Sequence, residues 1–152
     1  MVGCDHATKA WAEQSLRAAP PLRLMSGVLD LRYTQNDDVA FSLLRWIDTD
    51  ARYVVILIMA SLATAMLLWL WRRSDNSKQS QLALAMMMAG AAGNLLDRVM
   101  RGYVVDFIHL HHWPVFNVAD VLIVAGMVLW LWPRRRPSSA APIEAVAGDK
   151  ST

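Results

Sequence analysis

Six polar residues suited to acid–base and hydrogen-bonding chemistry lie in one stretch, residues 93–120, between two apolar segments. They are Asn94, Asp97, Arg98, Asp106, Asn117 and Asp120. Ionisable groups are costly at membrane depth, so their presence between apolar segments indicates a functional site. Helical spacing places Asn94 and Arg98 on one face at i and i+4, and Asn117 and Asp120 on another at i and i+3.

Asp106 and Asp120 are the strongest candidates for catalysis. Residues 104–112 alternate, and Asp106 shares one side of an extended strand with Val104, Ile108 and Leu110. This is the more apolar side, so burial there should raise the pKa of Asp106. If Asp106 and Asp120 lie close together, the two carboxyl groups cannot easily both ionise. One then keeps a proton while the other acts as a base, which is the arrangement that activates water in aspartic proteases.

A structural interpretation of the same acids is about as well supported by the pattern alone. In that interpretation they form helix caps and ion pairs at a membrane interface, and Asp120 is a first-turn carboxylate favoured by the helix dipole. The corresponding function would be a non-enzymatic multi-pass membrane protein, such as a helper or transporter component.

The composition and the apolar segments predict a mainly α-helical membrane protein. The chain is 55% hydrophobic and 18% charged. Transmembrane helices are predicted over residues 51–71, 81–100 and 115–132. The second and third contain uninterrupted apolar runs of only about 15 residues, or about 22 Å of helix, so they must take in flanking polar residues to cross a core of about 30 Å. Residues 89–93 form a small-residue face that favours close helix packing.

The remaining segments complete a single predicted membrane domain, 1–152. Residues 1–19 predict a helix that ends at Pro20, and we interpret it as the remnant of a truncated first spanning helix because only four residues precede Asp5. Residues 22–50 predict a small β element, since Leu29, Leu31 and Tyr33 alternate with polar residues. Residues 133–152 predict a disordered tail.

Basic residues set the predicted orientation. Arg72, Arg73 and Lys78 lie in one short loop, and Arg134 to Arg136 flank the last span on the same side. By the positive-inside rule that side is cytoplasmic, so the β element and the 100–114 connection lie outside. The net charge of +2 is too small to indicate a nucleic-acid partner.

A zinc hydrolase is the weaker alternative function. His109, His111 and His112 are close in sequence, but His112 faces away from the other two on a strand, and neither an HExxH pattern nor a cysteine ligand set accompanies them. We therefore predict no metal site.

Five motifs occur in a fixed order and cover the chain from about Asp5 to Trp132. They are Asp5-x-x-Thr8-Lys9; Asn36 with Ala40-Phe41-Ser42; Gly93-Asn94-x-x-Asp97-Arg98; Gly102-x-Val104-Val105-Asp106-Phe107-Ile108; and Phe116-Asn117-x-Ala119-Asp120. In these motifs the chain resembles the bacterial lipoprotein signal peptidases (signal peptidase II), which are aspartic proteases of the inner membrane.

The resemblance implies a fold, a reaction and a set of site residues. The fold would be a four-helix transmembrane bundle with a small extracytoplasmic β-cradle. The reaction would be cleavage of prolipoproteins just before a diacylglyceryl-modified cysteine, at the outer, periplasmic face of the membrane. The resemblance implies that no cofactor is needed. It also implies that the protein is a monomer whose partners are the prolipoprotein substrate and membrane lipids. Asp106 and Asp120 would form the catalytic dyad, supported by Asp5, Lys9, Asn36, Asn94, Arg98, Asn117 and Ala119.

The chain departs from the family's pattern at three places. The apolar residues that usually precede the position of Asp5 are replaced by four residues. Asp38 and Val39 stand where glycine and a small residue are usual, and Val121 stands where serine is common.

Overall fold

The computed structural model describes residues 1–25, 27–38, 46, 48–74 and 77–133. Four helices and three strands follow one another along the chain: α1 Val2–Leu16, β1 Leu22–Met25, β2 Leu29–Asn36, α2 Thr49–Arg73, α3 Lys78–Arg101, β3 Val104–Leu110 and α4 Val118–Leu131. The Ala40-Phe41-Ser42 motif, with the part of the predicted β element from residue 39 to 45, lies outside the described residues. So do Arg134 to Arg136 and the predicted tail from residue 134 onward.

Helices α2 and α3 are long and apolar enough to cross a membrane. Helix α2 has 25 residues, and Ile56 is its one buried residue, so apolar side chains such as Ile58 and Leu62 cover its outer surface. Such a surface fits a lipid environment better than water. The guanidinium of Arg73 lies 4.7 Å from the centre of the Trp69 ring, an interaction suited to a membrane–water interface.

Helix α4 is shorter than the predicted segment, with 14 residues. It begins at Val118 rather than near residue 115, because Asn117 caps it: its side chain accepts a hydrogen bond from the backbone N–H of Asp120. Asp120 consequently lies in the first turn of the helix.

The three strands form an antiparallel sheet in the order β1-β2-β3. In this register Thr34 of β2 lies opposite Asp106 of β3, and Asn36 lies opposite Val104. The predicted β element is therefore present at residues 22–36, and it is completed by a strand from much later in the chain. The expected extension of the strand to His112 is wrong, since β3 ends at Leu110 and a turn follows.

The apolar core of the sheet lies on the side of β3 opposite Asp106. It is formed by Ala12 and Leu16 of α1 with Val105 and Phe107 of β3. The sequence placed Asp106 on the more apolar side of the strand, and this is wrong because α1 supplies apolar cover to the other side. Asp106 is nevertheless buried, with 2% of its surface exposed. Both sides of the strand are thus covered, one by apolar groups and the other by polar groups.

Helices α3 and α4 pack closely through glycine, as the small-residue face predicts. A Cβ atom on Gly90 would overlap the carbonyl oxygen of Ala119 and would lie 2.7 Å from the Cγ1 atom of Ile123. A Cβ atom on Gly126 would lie 2.7 Å from the carbonyl oxygen of Ala83. The two backbones can approach this closely only because both positions lack a side chain.

We expect Gly90→Ala to lower the thermal unfolding temperature in detergent, because the added methyl group must push α4 away at a cost of about 1–3 kcal/mol. Gly3→Ala is the matched control. Gly3 lies in a different helix, α1, and a Cβ atom at this position would meet nothing within 4 Å. The control should unfold at or slightly above the wild-type temperature. Equal unfolding temperatures for the two variants would contradict the close α3–α4 contact.

Candidate active site

Asp106 is held at the centre of a polar cluster by two amide side chains. Its Oδ1 atom accepts a hydrogen bond of 2.6 Å from Asn117 Nδ2, and its Oδ2 atom accepts one of 2.8 Å from Asn36 Nδ2. Asn36 lies at the end of β2 and Asn117 precedes α4, so a strand and a helix approach the carboxyl group from different directions. The side chain can rotate little without losing one of these bonds.

Burial raises the pKa of Asp106 from its ordinary value near 3.8 to about 6. The hydrogen bonds from Asn36 and Asn117 and the positive charge of Lys9 act in the opposite direction, while the negative charge of Asp120 also raises the pKa. The direction predicted from the sequence is therefore confirmed. A carboxyl group with such a pKa can exchange a proton near neutral pH.

Asp120 forms a reciprocal cap with Asn117 at the start of α4. Its Oδ2 atom accepts a hydrogen bond of 3.1 Å from the backbone N–H of Asn117, while its own backbone N–H donates to Asn117 Oδ1, also at 3.1 Å. The other carboxyl oxygen, Oδ1, accepts a bond of 2.8 Å from Asn94 Nδ2. Asp120 is thus a helix cap, as in the structural interpretation, and it is also tied to α3.

Lys9 fixes which way the Asn94 amide points. Its ammonium group lies 2.9 Å from Asn94 Oδ1, and an ammonium can only donate. The amide oxygen of Asn94 must therefore face Lys9, which leaves its Nδ2 atom to donate to Asp120. Asn117 Nδ2 also donates to Asn94 Oδ1, at 3.1 Å, which favours the same orientation.

Two carboxylates balance the charge of Lys9. Its Nζ atom lies 2.8 Å from Asp5 Oδ2 and 2.9 Å from Asp97 Oδ2, and all three side chains are almost completely buried. The second oxygen of Asp5 accepts a hydrogen bond of 2.9 Å from the backbone N–H of Ala119. Asp5 can approach α3 this closely because Gly93 has no side chain. A Cβ atom on Gly93 would lie only 2.6 Å from Asp5 Oδ2. Helix α1 is thereby joined to both α3 and α4.

Arg98 supplies a positive charge on the side of the cluster that faces open space. Its Nη1 atom donates to the carbonyl oxygen of Asn94 at 3.2 Å, and its Nη2 atom donates to that of Asp38 at 3.3 Å. The hydroxyl of Tyr53 donates to the carbonyl oxygen of Arg98 at 3.0 Å, which joins α2 to the site. The predicted pairing of Asn94 with Arg98 on one helix face is confirmed.

A cavity of about 540 Å³ opens above this cluster. Both candidate carboxyl groups line it, together with Asn36, Asn94 and Arg98. A second, apolar cavity of about 340 Å³ adjoins it and shares Asp120, Trp113 and Phe116 with the first. Both carboxyl groups therefore face one space that is large enough for several residues of a peptide.

The nine residues selected from the sequence all meet in this one network, with Ala119 contributing its backbone N–H. Asp97 is not one of these nine residues, yet it is 2% exposed and bridges Lys9 to Arg101, whose Nε atom lies 3.6 Å from Asp97 Oδ1. Its i, i+4 spacing to Arg101 was the available signal in the sequence. The link to Lys9, in another helix, had no such signal.

The three histidines lie on the outer part of β3 and in the turn after it. His109 Nδ1 is 3.8 Å from Asp30 Oδ2, and the rings of His111 and His112 are in contact, with centroids 3.9 Å apart. In the described part of the chain, no group of three or more metal-binding side chains is close enough to hold an ion. None of the three is among the described residues that line the larger cavity.

Fold and site together define a membrane protein in which two carboxyl groups share a cavity at one end of apolar helices. The model of the signal peptidase (SPase) II family matches residues 1–134. The lipoprotein signal peptidase of Desulforapulum autotrophicum is 35% identical over 137 residues, which cover 87% of this chain and 85% of that protein. The one from Syntrophomonas wolfei is 38% identical over 130 residues, covering 84% and 82%. This chain belongs to the signal peptidase II family.

Two solved structures of bacterial membrane enzymes, both obtained by the in meso method, have a similar fold. One superposes with a TM-score of 0.74 at 25% identity and covers 84% of this chain and 78% of its own. The other has a TM-score of 0.68 at 26% identity and covers 84% and 83%. The resemblance stated from the motifs is therefore confirmed, and the protein is a protease by family.

We expect Lys9→Met to destabilise the protein strongly, because Asp5 and Asp97 would remain buried without their cation. Breaking a buried ion pair from one side typically costs about 3–5 kcal/mol. Thermal and denaturant unfolding in detergent would measure the loss. Arg17→Gln is the control: it removes an ion pair to Glu13 at 3.3 Å whose arginine side chain is 59% exposed. Its effect should be small, and a similar loss in both variants would contradict the role given to Lys9.

Proposed function

We propose that this chain is an aspartic endopeptidase that removes signal peptides from prolipoproteins and cuts just before the diacylglyceryl-modified cysteine. Family membership supports signal peptide cleavage. The observation that carries the aspartic mechanism is that Asp106 and Asp120 face one cavity and are joined through a single residue, Asn117, which donates to both of them.

In the proposed reaction the two carboxyl groups share one proton. Asp106 holds it, because burial favours its protonated form, and Asp120 is the base. Asp120 takes a proton from a water molecule as the water oxygen attacks the scissile carbonyl carbon, and Asp106 gives its proton to the carbonyl oxygen. Collapse of the tetrahedral intermediate breaks the C–N bond: one of its hydroxyl groups returns a proton to Asp106 as the C=O bond re-forms, and the proton on Asp120 passes to the leaving amine.

The other polar residues of the site hold the two carboxyl groups and neutralise charge. Asn36 and Asn117 fix both oxygens of Asp106, and Asn94 fixes one oxygen of Asp120. Arg98 offers a positive charge at the cavity, where negative charge develops on the carbonyl oxygen. The chemistry requires no cofactor.

We also propose that α1 to α4 form a four-helix transmembrane bundle within a single membrane domain and that the sheet is a cradle on its outer face. Helix α3 ends and α4 begins beside the sheet, whereas Arg72, Arg73 and Lys78 lie at the opposite end of α2 and α3. By the positive-inside rule the basic end is cytoplasmic, together with the tail from residue 133. The cavity then faces the periplasmic side of the inner membrane, where membrane lipids surround a monomeric enzyme.

A non-enzymatic helper or transporter component would account for paired acids but gives no reason for both carboxyl groups to face one cavity. A zinc hydrolase would need its ligands at the reacting site, whereas His109 lies on the outer part of β3 and His111 and His112 lie in the turn after it. The peptidase is therefore the function that the geometry supports best.

We expect Asp106→Asn and Asp120→Asn each to abolish cleavage of a lipid-modified prolipoprotein in a detergent or vesicle assay. The amide cannot carry or accept the proton that the reaction moves, so the rate should fall by at least about 10³-fold. Both variants should still insert in the membrane and elute as folded protein. Asp50→Asn, in the exposed first turn of α2, is the control and should retain wild-type activity. Full activity in either dyad variant would exclude the aspartic mechanism.

We expect kcat/KM to fall as pH rises through about 6, because the free enzyme then loses the proton held by Asp106. Since the hydrogen bond from Asn36 lowers the pKa of Asp106, Asn36→Ala should move this decline to higher pH. Steady-state rates measured between pH 4 and 9, with a check that the enzyme stays folded, would test this. A decline that moves to lower pH in Asn36→Ala would contradict the assignment of the proton to Asp106.

A further inference from the structure

A buried ion cluster of Asp5, Lys9, Asp97 and Arg101 lies beneath the cavity. Lys9 contributes one positive charge and Arg101 another, and the two carboxylates balance them. Asp5 is 1% exposed and Asp97 2%, so an unbalanced charge here would be costly. The family resemblance implies supporting roles for Asp5 and Lys9, and the proposed reaction assigns no part to Asp97.

Asp97 lies at the point where three elements meet. Its Oδ2 atom contacts Lys9 of α1 at 2.9 Å, and its Oδ1 atom contacts Arg101 of its own helix at 3.6 Å. The Oδ2 atom also accepts a hydrogen bond of 3.5 Å from the backbone N–H of Val105, the residue before Asp106. The described residues of α3 that line the cavity are Asn94 and Arg98, so Asp97 acts on the site from below and does not touch a substrate there.

Lys9 is fully constrained by its partners. An ammonium group has three N–H donors, and the three acceptors around Lys9 are Asp5, Asp97 and Asn94. The two carboxylates therefore leave the third donor aimed at Asn94 Oδ1. An amide side chain has a similar shape after a half-turn, which exchanges its oxygen and nitrogen. Lys9 decides between the two orientations, and the one it selects presents Nδ2 to Asp120 at 2.8 Å.

We propose that Asp97 is a positioning residue for the reaction at Asp106 and Asp120: with Asp5 it holds Lys9, and Lys9 orients the Asn94 amide that donates to Asp120. The inference rests on the proposed function. Asp97 reaches the other carboxyl group along the backbone, since it anchors Val105 at the start of β3. One buried carboxylate thus steadies both members of the pair.

The charge of Asp97 also bears on the proton shared by the pair. The titratable and charged groups around Asp106 come from α1, from the end of β2, from α3 and from α4: Asp5, Lys9, Asp37, Asp38, Asp97, Arg98, Arg101 and Asp120. The positive charge of Lys9 lowers the pKa of Asp106. Removal of the negative charge of Asp97 leaves Lys9 less neutralised, so Asp106 should ionise at lower pH.

The test is Asp97→Asn, which keeps the volume and an acceptor oxygen but removes the charge that holds Lys9. We expect kcat to fall at least about tenfold with KM within about twofold of wild type, because substrate does not contact this residue. The decline of kcat/KM with pH should move down by about half to one pH unit. Rates per folded enzyme and unfolding temperatures would be measured on the full chain in detergent.

A double-mutant cycle distinguishes positioning from a merely structural role. Asn94→Ala should itself lower kcat, and in that background Asp97→Asn should lower kcat by a clearly smaller factor than in the wild-type chain, because the route through the Asn94 amide is already lost. Glu13→Gln is the control: Glu13 contacts the same Arg101 at 2.8 Å, and its carboxylate is 28% exposed. It should leave kcat unchanged, because Glu13 has no contact with Lys9 or Asn94 among the described residues.

Wild-type kcat and an unshifted pH profile in Asp97→Asn would overturn the inference, as would an undiminished effect in the Asn94→Ala background. If Asp97→Asn yields no folded protein, the pH dependence of Arg101→Gln is measured instead. Removal of a positive charge should move the decline of kcat/KM to higher pH, the opposite of the shift expected for Asp97→Asn. An unmoved decline there would equally overturn it. Activity that survives Asp106→Asn would instead reject the proposed function, so the two failures are distinguishable.

Discussion

The side chain of Asn117 is the contact on which the geometry of the site depends. Its oxygen caps α4 by accepting from the backbone N–H of Asp120, so its nitrogen can only point the other way, to Asp106 at 2.6 Å. The side chain is fully buried, and every polar atom on it must therefore find a partner within the protein. This requirement fixes the start of α4 against the middle of β3. The relative position of the two carboxyl groups follows from it.

The same requirement explains the composition of α1. Its buried stripe is Asp5, Lys9, Ala12 and Leu16, with the charged half beneath the cavity and the apolar half against Val105 and Phe107. A helix that crossed the membrane by apolarity alone could not supply a counter-charge for Asp97. An apolar stripe throughout would pack well but would leave that carboxylate with only the longer contact to Arg101, at 3.6 Å. The helix is therefore part of the site and of the core at once.

The sequence predicted the elements and the local pairs well, and failed where partners come from distant segments. Period and length indicated the helices and the strands, and i, i+3 and i, i+4 spacing paired Asn117 with Asp120 and Asn94 with Arg98. The prediction that the apolar core lies on the Asp106 side of β3 was wrong, because α1 packs on the opposite side. The contact between Lys9 and Asp97 could not be read from spacing either, since each lies in a different helix. Most of the site residues could be assigned to one site only because the order of the motifs resembles that of the family.

The pKa of Asp106 results from opposed effects, and their balance matters for the proposed chemistry. Burial alone would favour the neutral acid, while the donors Asn36 and Asn117 and the charge of Lys9 favour the anion. Because these donors and the charge of Lys9 offset only part of the effect of burial, the pKa is raised to about 6, and the group can both hold and release a proton near neutral pH. A peptide that enters the cavity would displace water from the same carboxyl group and strengthen the effect of burial. The proton would then be held most firmly when substrate is bound, which is when the reaction needs it.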